Sequence, residues 1–287
     1  MIENAYAKIN LTLDVFERRP DGFHDIETVM QLVSLCDVLT LTGNTLGELR
    51  LTSNVGFIPL DGKNICAKAA AAFFDRFSVT ERGFDINIRK RIPVAAGLGG
   101  GSADGAAVIR LLARRFGVTD RGALLEVAAA VGSDVPFCLV GGTALCRGRG
   151  EIMDPLSSAM TRHLVIAKNT VGLSTPLIYS LFDQQTSPRS HPGSDAVIRA
   201  LADGDPDALD KSIFNAMEPV SAAKRPAIEY LKNKMLSYGA SVAMMSGSGP
   251  SVFGLFPDEA SARTCAEKLK KKNVRAYYAR FLNDTLL

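Results

Sequence analysis

Residues 93–102 decide the fold, and they read Pro-Val-Ala-Ala-Gly-Leu-Gly-Gly-Gly-Ser. Four of the five positions from 97 to 101 are glycine, which lets a backbone take positive φ values and approach a ligand closely. The alternating segment 84–90 before this loop predicts a strand, and the alanine-rich segment 103–116 after it predicts a helix. Free N–H groups and the dipole at a helix N-terminus favour anions, so the sequence predicts a phosphate-binding loop.

The glycine loop differs from the two commonest nucleotide-binding motifs. No Gly-Lys-Ser/Thr sequence ends it, so it is not a Walker A motif, and Gly97, Gly99 and Gly101 lack the spacing of the dinucleotide-binding fingerprint. The spacing therefore disfavours a dehydrogenase. A flexible glycine linker is the alternative, but a linker is not expected between a clear strand and a clear helix. Ser102 either caps the helix that follows or turns its hydroxyl toward a phosphate or a metal ion.

The composition is that of a globular protein: 287 residues, 47% hydrophobic and 22% charged, enough for one large or two modest lobes. A net charge of +3 is too small to predict nucleic-acid binding, and the lysines clustered at residues 268–272 are expected on the solvated end of a helix. The chain does not begin with a basic segment followed by an apolar run, and no stretch approaches the ~18 apolar residues of a membrane span. We therefore expect a cytoplasmic protein that contacts neither nucleic acid nor membrane.

The cysteines give a separate indication of the compartment. Five of them are far apart in the sequence, and no Cys-x-x-Cys pair occurs. Their odd number and their spacing argue against both a disulfide framework and a zinc site. We expect buried free thiols in a reducing compartment.

The order of predicted elements indicates the fold class. Apolar and polar residues alternate from 8 to 16, which predicts one strand with one buried face. Residues 207–216 and 219–237 are predicted to be helices, and the polar, proline-containing residues 183–194 are predicted to be a mobile loop. Strands and helices mix without strict alternation, so the predicted fold class is α+β, with a boundary near residue 155.

The glycine loop, Pro-x-x-x-Gly-Leu-Gly-Gly-Gly-Ser, resembles the central motif of the GHMP kinase superfamily. Residues 7–11 (Ala-Lys-Ile-Asn-Leu) resemble the first motif of that superfamily, and residues 246–251 (Ser-Gly-Ser-Gly-Pro-Ser) resemble the third. The three motifs occur in the family's order, so the resemblance spans essentially the whole chain. It implies an ATP-dependent small-molecule kinase with a two-lobed α+β fold, residues 1–155 and 156–287, and an active site in the cleft between the lobes.

Two further segments narrow the resemblance to one branch of the superfamily. Residues 19–24 (Arg-Pro-Asp-Gly-Phe-His) and 132–137 (Gly-Ser-Asp-Val-Pro-Phe) resemble kinases that phosphorylate the C2 hydroxyl of a cytidine-diphosphate-linked sugar alcohol in the non-mevalonate route to isoprenoid precursors. By this resemblance Asp134 is the general base and Lys8 its electrostatic partner. From residue type alone, a structural salt bridge between the two, or two unrelated surface charges, stays open.

The resemblance also implies which residues hold ATP. They are Pro93, Val94, Ala95, Ala96, Gly97, Leu98, Gly99, Gly100, Gly101, Ser102, Ala103, Asn64 and Lys90. Lys90 is otherwise a solvated charge at the end of a strand. Mg²⁺ is expected to arrive with the nucleotide, whose phosphates supply many of its ligands, and Ser102 is expected to contact it.

The acceptor side is implied in the same way. Its residues are Asn10, Phe23, His24, Thr175, Tyr179, Gly247 and Ser248. Phe23 and Tyr179 are expected to stack on the cytosine while His24 reads its edge. Phe23 stands where the family often has tyrosine, so any hydrogen bond from a phenol is absent. The alternatives are a surface histidine after a turn, and a Ser174 or Thr175 that only caps the next helix.

The resemblance leaves two other functions to be weighed. A homoserine or mevalonate-type kinase shares the glycine loop but is disfavoured by residues 19–24 and 132–137. A nucleotide-binding protein without catalysis is disfavoured because both Lys8 and Asp134 are present.

Overall fold

The structure is a computed structural model that describes residues 1–169, 172–185 and 191–287. Part of the loop predicted at residues 183–194 lies outside the described residues. None of the helices in the described ranges has the length and hydropathy needed to cross a bilayer.

The described residues form twelve strands and ten helices. The strands are β1 (Ile2–Asn10), β2 (Thr12–Arg18), β3 (His24–Gly43), β4 (Leu49–Ser53), β5 (Phe84–Arg89), β6 (Thr143–Arg147), β7 (Ile152–Leu156), β8 (His163–Lys168), β9 (Phe214–Asn215), β10 (Val242–Met245), β11 (Val252–Phe256) and β12 (Arg275–Arg280). The helices are α1 (Ile65–Arg76), α2 (Gly100–Phe116), α3 (Arg121–Val131), α4 (Val135–Val140), α5 (Thr175–Asp183), α6 (Asp195–Asp203), α7 (Pro206–Ser212), α8 (Glu218–Lys224), α9 (Ala227–Ser237) and α10 (Glu259–Lys270).

Two sheets organise these elements. The larger has eight strands arranged around the long β3, which pairs antiparallel with β1, β2, β5 and β6. Two further strands pair in parallel, β4 with β5 and β9 with β2. The smaller sheet has the order β10-β11-β8-β12 and is antiparallel throughout. Helices flank sheets that are mostly antiparallel, so the α+β prediction is confirmed.

The chain crosses between the sheets more than once. β7 ends the first run through the larger sheet at Leu156, close to the predicted boundary. β9 then returns to pair with β2, and Phe281 and Thr285 form bridges to Val33 and Gly141. The division of the chain into residues 1–155 and 156–287 therefore stays a prediction.

Three hydrophobic clusters hold the elements together. One packs α1 to α4 on the larger sheet, and a second packs α8, α9 and α10 on the smaller sheet. The third lies between the sheets and includes Ile9 of β1, Phe253 of β11, Ala96 and Leu98 of the glycine loop, and Ile92 just before that loop. Burial of a side chain such as Leu98 contributes about 1.5–3 kcal/mol, so the loop is anchored by its apolar residues while its glycines remain at the surface of the core.

Three predicted elements differ from those observed. The single strand predicted over residues 8–16 is broken at Leu11, because the Thr12 hydroxyl accepts the Val29 N–H at 2.7 Å in place of a ladder carbonyl. The helix predicted over 207–216 ends at Ser212, since the next residues pair with β2. The helix predicted over 219–237 is interrupted near Pro226, whose ring removes a backbone N–H.

The prediction of free thiols is confirmed. All five cysteines are free, and four of them are buried. Only Cys36 is partly exposed.

Candidate active site

A cavity of about 910 Å³ lies between the glycine loop, the end of β1, the β2–β3 turn, α5 and the third glycine motif. All of the predicted site residues except Ala103 line it. Elements far apart in the sequence therefore meet at one place, as an active site requires.

The glycines of the loop are required by close packing against the other two motifs. Gly97 has a φ of +75°, and a Cβ placed on it would lie 2.1 Å from the Ser246 carbonyl oxygen of the third motif. Gly99 has a φ of +65°, and its Cβ would lie 2.9 Å from Cγ of Lys8 in the first motif. The backbone N–H of Lys8 also donates to the Leu98 carbonyl at 3.0 Å. The three motifs are thus in direct contact through positions where only glycine fits.

Helix α2 begins inside the glycine loop rather than after it. Gly99 is the N-cap residue, and the Ala103 N–H donates to the Gly99 carbonyl at 2.8 Å. The amides of residues 100–102 form the open N-terminal end of the helix, where the dipole favours anions. The alternative that Ser102 is the N-cap is therefore wrong. Its side chain lines the cavity, and its hydroxyl makes no hydrogen bond to any described residue.

The structure places the Lys8 ammonium beside Asp134. Lys8 Nζ lies 3.4 Å from Asp134 Oδ2, and the two side chains are 6% and 30% exposed. Lys8 Nζ also donates to Asn10 Oδ1 at 2.7 Å, while Asn10 Nδ2 donates to Thr28 Oγ1 at 2.8 Å. Asn10 therefore fixes the direction of the ammonium, and the alternative of two unrelated surface charges is wrong.

Asp134 keeps its carboxylate open to the cavity. It is the N-cap residue of α4 but makes no side-chain capping bond. The Gly148–Gly150 turn comes close behind it, since a Cβ on Gly150 would lie 3.6 Å from Asp134 Oδ1. A carboxylate in this position has one buried cation on one side and the cavity on the other.

Lys90 is buried in a network of charges at the start of α2. Its ammonium forms ion pairs with Asp37 and Asp104 and donates to the Gly100 carbonyl at 3.4 Å. Burial opposes the charge of Lys90, but the two carboxylates outweigh burial and raise its pKa. Burial also raises the pKa of Asp104 to about 7. The alternative of a solvated strand-end lysine is wrong, and the ammonium is already engaged by protein groups.

Asn64 caps helix α1. Its Oδ1 accepts the Cys66 N–H at 2.8 Å, and its Nδ2 donates to the Pro59 carbonyl at 2.6 Å. This capping explains an asparagine at this position without a ligand. Asn64 nevertheless lines the cavity, so a contact with the nucleotide stays a prediction.

The aromatic end of the cavity is formed by Phe23, His24 and Tyr179. The His24 ring is buried, stacks on Tyr179 at 4.9 Å, and has its Nε2 2.7 Å from Asp183 Oδ1. The surface-histidine alternative is therefore wrong. Burial raises the pKa of Tyr179 to about 12, with a smaller effect from the charge of Asp134. Phe23 is 54% exposed, and the Arg149 guanidinium lies 5.2 Å from its ring centre.

The third motif is bound to α5 and to β9. Thr175 Oγ1 lies 2.8 Å from Ser248 Oγ, and Ser174, the N-cap residue of α5, makes no side-chain capping bond. The capping alternative is therefore not what the structure contains. Asn215 Nδ2 donates to the carbonyls of Met245 and Gly247 at 2.8 and 2.9 Å. These contacts fix the turn that presents Gly247 and Ser248 to the cavity.

The side chains fit a magnesium ion that is carried by a nucleotide. In the described part of the chain, no group of three or more His, Cys, Asp or Glu side chains is suited to hold a metal ion. Ser102 and Asp134 both line the cavity and offer oxygen atoms, the ligands that Mg²⁺ prefers. Such a site needs phosphate oxygens to complete the coordination, as in nucleotide-dependent enzymes.

Several residues of the site were not identified by the sequence analysis. Asp37 and Asp104 are single charges inside an apolar strand and an alanine-rich helix, and an isolated charge in such a segment indicates a buried partner. That signal was available. Asn215 had no such signal, because its role depends on a two-residue strand pairing.

Comparisons with known proteins agree on one family. The model of the GHMP kinases N terminal domain matches residues 64–142, and the model described as GHMP kinases C terminal matches residues 197–275. The chain is 42% identical over 271 residues to a 4-diphosphocytidyl-2-C-methyl-D-erythritol kinase of Caldicellulosiruptor saccharolyticus, covering 94% of this chain and 93% of that one. It is 41% identical over 285 residues to the protein of the same name from Exiguobacterium sibiricum, covering 99% of both.

Solved structures extend the comparison. A crystal structure of 4-(cytidine 5'-diphospho)-2C-methyl-D-erythritol kinase superposes with a TM-score of 0.83 at 31% identity, over 98% of this chain and 99% of that one. A homoserine kinase from Cytophaga hutchinsonii superposes with a TM-score of 0.78 at 20% identity, over 98% and 94%. The second likeness concerns the fold alone.

Proposed function

Because the chain belongs to the GHMP kinase family, we propose that it transfers the γ-phosphoryl group of ATP to the C2 hydroxyl of 4-diphosphocytidyl-2-C-methyl-D-erythritol. The reaction makes it a kinase of isoprenoid-precursor synthesis by the non-mevalonate route. The names of the full-length relatives support this acceptor over homoserine or mevalonate.

One observation carries the proposal. The Lys8–Asp134 pair lies in the same cavity as the open N-terminus of α2 and the aromatic group of Phe23, His24 and Tyr179. One end of the cavity suits a triphosphate and the other suits a nucleobase. A carboxylate with a buried ammonium beside it lines the same space and is available to the reacting hydroxyl.

Asp134 and Lys8 have distinct roles in the proposed mechanism. The C2 hydroxyl oxygen attacks the γ-phosphorus, the bond between that phosphorus and the β–γ bridging oxygen breaks, and ADP leaves. The hydroxyl proton passes to the Asp134 carboxylate, which acts as general base. The Lys8 ammonium, directed by Asn10, stabilises the negative charge on the transferring group.

Binding of the triphosphate is assigned to the glycine loop and to α2. The amide groups at the start of α2 hold phosphate oxygens, and Ser102 offers its hydroxyl to a magnesium ion that accompanies ATP. When bound, that ion neutralises phosphate charge. The networks of Lys90 and Asn64 hold the loops around the nucleotide in place.

Recognition of the cytosine is assigned to the aromatic end. Phe23 and Tyr179 provide ring faces, and Asp183 orients the His24 imidazole by accepting a hydrogen bond from its Nε2–H. In the neutral ring Nδ1 is then an acceptor, which suits the exocyclic amino group of cytosine. Thr175, Ser248 and Gly247 line the same cavity and are assigned to binding of the sugar alcohol.

A coupled ADP-release assay with Mg-ATP tests the proposal. The acceptors are 4-diphosphocytidyl-2-C-methyl-D-erythritol, homoserine, mevalonate and galactose. We expect turnover with the cytidylyl compound alone. Turnover with another acceptor would retain the kinase and reject the cytosine site. Folded protein that releases no ADP with any of the four would reject the proposed reaction.

A further inference from the structure

Residues in the C-terminal half of the chain form hydrogen bonds to the backbone of the glycine loop. Four successive carbonyl oxygens of the loop accept hydrogen bonds from residues of that half. The bonds run from Lys168 Nζ to Val94 O at 2.6 Å and Ala95 O at 3.2 Å, from the Ser251 N–H to Ala96 O at 3.3 Å, and from Ser246 Oγ to Gly97 O at 2.9 Å.

These hydrogen bonds fix the orientation of the peptide groups, and therefore the direction in which the N–H of each following residue points. In a trans peptide the C=O and the following N–H point in opposite directions. The carbonyls of residues 94–97 face the C-terminal half, so the N–H groups of residues 95–98 face away from it. None of these four N–H groups donates to a described residue. Where successive residues alternate between right-handed and left-handed backbone conformations, their free N–H groups form a concave site for an anion.

Lys168 is the one charged member of this set of donors. It ends β8, at the middle of the smaller sheet, and is 8% exposed. Within the described residues it forms no ion pair with a carboxylate, and burial lowers the pKa of its ammonium. A buried ammonium without a counter-charge is costly, so a leucine or methionine would serve packing better at this position.

The beginning of the loop is confined on a second side. Ala95 has a φ of +50°, a conformation that residues other than glycine rarely adopt. A Cβ placed on Gly172 would lie 2.6 Å from the Ala95 Cβ. Lys168 and Gly172 therefore both contact this residue, whose side chain stays exposed, and support its backbone in the unusual conformation.

We propose that Lys168 is a positioning residue for ATP. Its ammonium fixes the carbonyls of Val94 and Ala95, and so aims the amide groups that follow them at the phosphates of the nucleotide. Its charge also adds to the positive electrostatic potential at the loop. This inference rests on the proposed ATP-dependent function and assigns a residue outside the three motifs to it.

Equilibrium binding to the full chain tests the role of Lys168. Calorimetric titrations with ADP and with adenosine would compare the wild type with Lys168→Met, Lys168→Arg and the control Lys270→Met, which removes an exposed lysine from the same half. We expect Lys168→Met to weaken ADP binding about tenfold, the effect of one lost charged hydrogen bond. Adenosine affinity and the melting temperature should remain at wild-type values, and Lys168→Arg should recover most of the ADP affinity.

Each outcome separates positioning from the alternatives. ADP affinity that is unchanged in Lys168→Met would overturn the inference. A parallel loss for ADP and adenosine, or a lower melting temperature that Lys168→Arg does not restore, would make the residue merely structural and would overturn it as well. Wild-type protein that binds neither ligand would overturn the proposed function itself, and with it any role of Lys168 in ATP binding.

Discussion

The substitution Lys90→Met tests the buried charges that hold the start of α2. In the structure one ammonium serves two carboxylates, Asp37 on β3 and Asp104 on α2, and all three side chains are buried. Methionine has a similar length and no charge, so it fills the space and leaves the carboxylates without their cation. The change therefore removes an electrostatic contact and little packing.

The expected loss follows from what remains around the two carboxylates. Breaking a buried ion pair by removing one partner costs about 3–5 kcal/mol. Asp37 keeps the backbone N–H groups of Arg91 and Ile92 as donors, and burial already raises the pKa of Asp104 to about 7. Both effects reduce the penalty, so we expect about 3 kcal/mol, at the lower end of that range. With a urea m-value of about 3 kcal/mol/M, the midpoint of unfolding should fall by about 1 M.

Urea unfolding followed by circular dichroism gives the midpoint and the m-value together. The matched control is Lys270→Met, since the exposed pair of Lys270 and Glu267 should contribute less than about 1 kcal/mol. Because Lys90 also donates to Gly100 at the start of α2, the KM for ATP should rise in the same variant. A midpoint no lower than that of the control would refute the buried network as the cause of stability here.

Four more predictions concern the site and the thiols. Asp134→Asn should lower kcat at least about 10²-fold in protein that still folds, because the general base is lost, while loss of the carboxylate beside Lys8 lowers the melting temperature; a near-normal kcat would remove that role. His24→Ala should raise the KM for the cytidylyl substrate about tenfold and leave the KM for ATP unchanged, whereas equal changes in both would indicate a folding defect. Gly97→Ala places a Cβ 2.1 Å from a carbonyl oxygen at a φ of +75°, so the free energy of unfolding should fall by at least about 2 kcal/mol. Gly56→Ala has open space and is its control; equal urea midpoints would contradict the close contact. Burial raises the pKa of all five thiols, so a thiol reagent at pH 8 should quickly label at most Cys36 in folded protein and all five after unfolding. Fast labelling of a second thiol would show that a buried cysteine is accessible.

Local signals in the sequence were sufficient where an element is bounded by its own residues. β10 and β11 are two apolar runs whose bounds are set by the Ser/Gly turn between them. Helix α3 begins after Asp120, which caps it by accepting the Ala123 N–H at 3.0 Å. In these segments propensity, capping and burial all favour the same structure, so the sequence predicts them without knowledge of the rest.

Contacts between distant segments could not be predicted in this way. β9 has two residues and exists because β2 lies beside it, so the helix predicted over residues 207–216 was right as far as Ser212 and wrong beyond it. The bonds from Lys168 to Val94 and from Asn215 to Gly247 join residues that are far apart in the chain. The resemblance to a family predicted that Lys8 and Asp134 act together, but the role of Asn10 in directing Lys8 appears only in the folded chain.

The close contacts explain why the glycine loop has glycine at positions 97 and 99. A flexible phosphate loop would need glycine only for its ligand, yet Gly97 and Gly99 are also where the loop touches Ser246 and Lys8. A side chain at either position would separate the amide groups from the ammonium or from the turn that supports them. The glycines therefore serve assembly as well as phosphate binding: they place the first and third motifs against the loop before any nucleotide arrives. Substitutions at these two positions should consequently lower both the stability of the free protein and its affinity for ADP, whereas a glycine used only by the ligand would affect affinity alone.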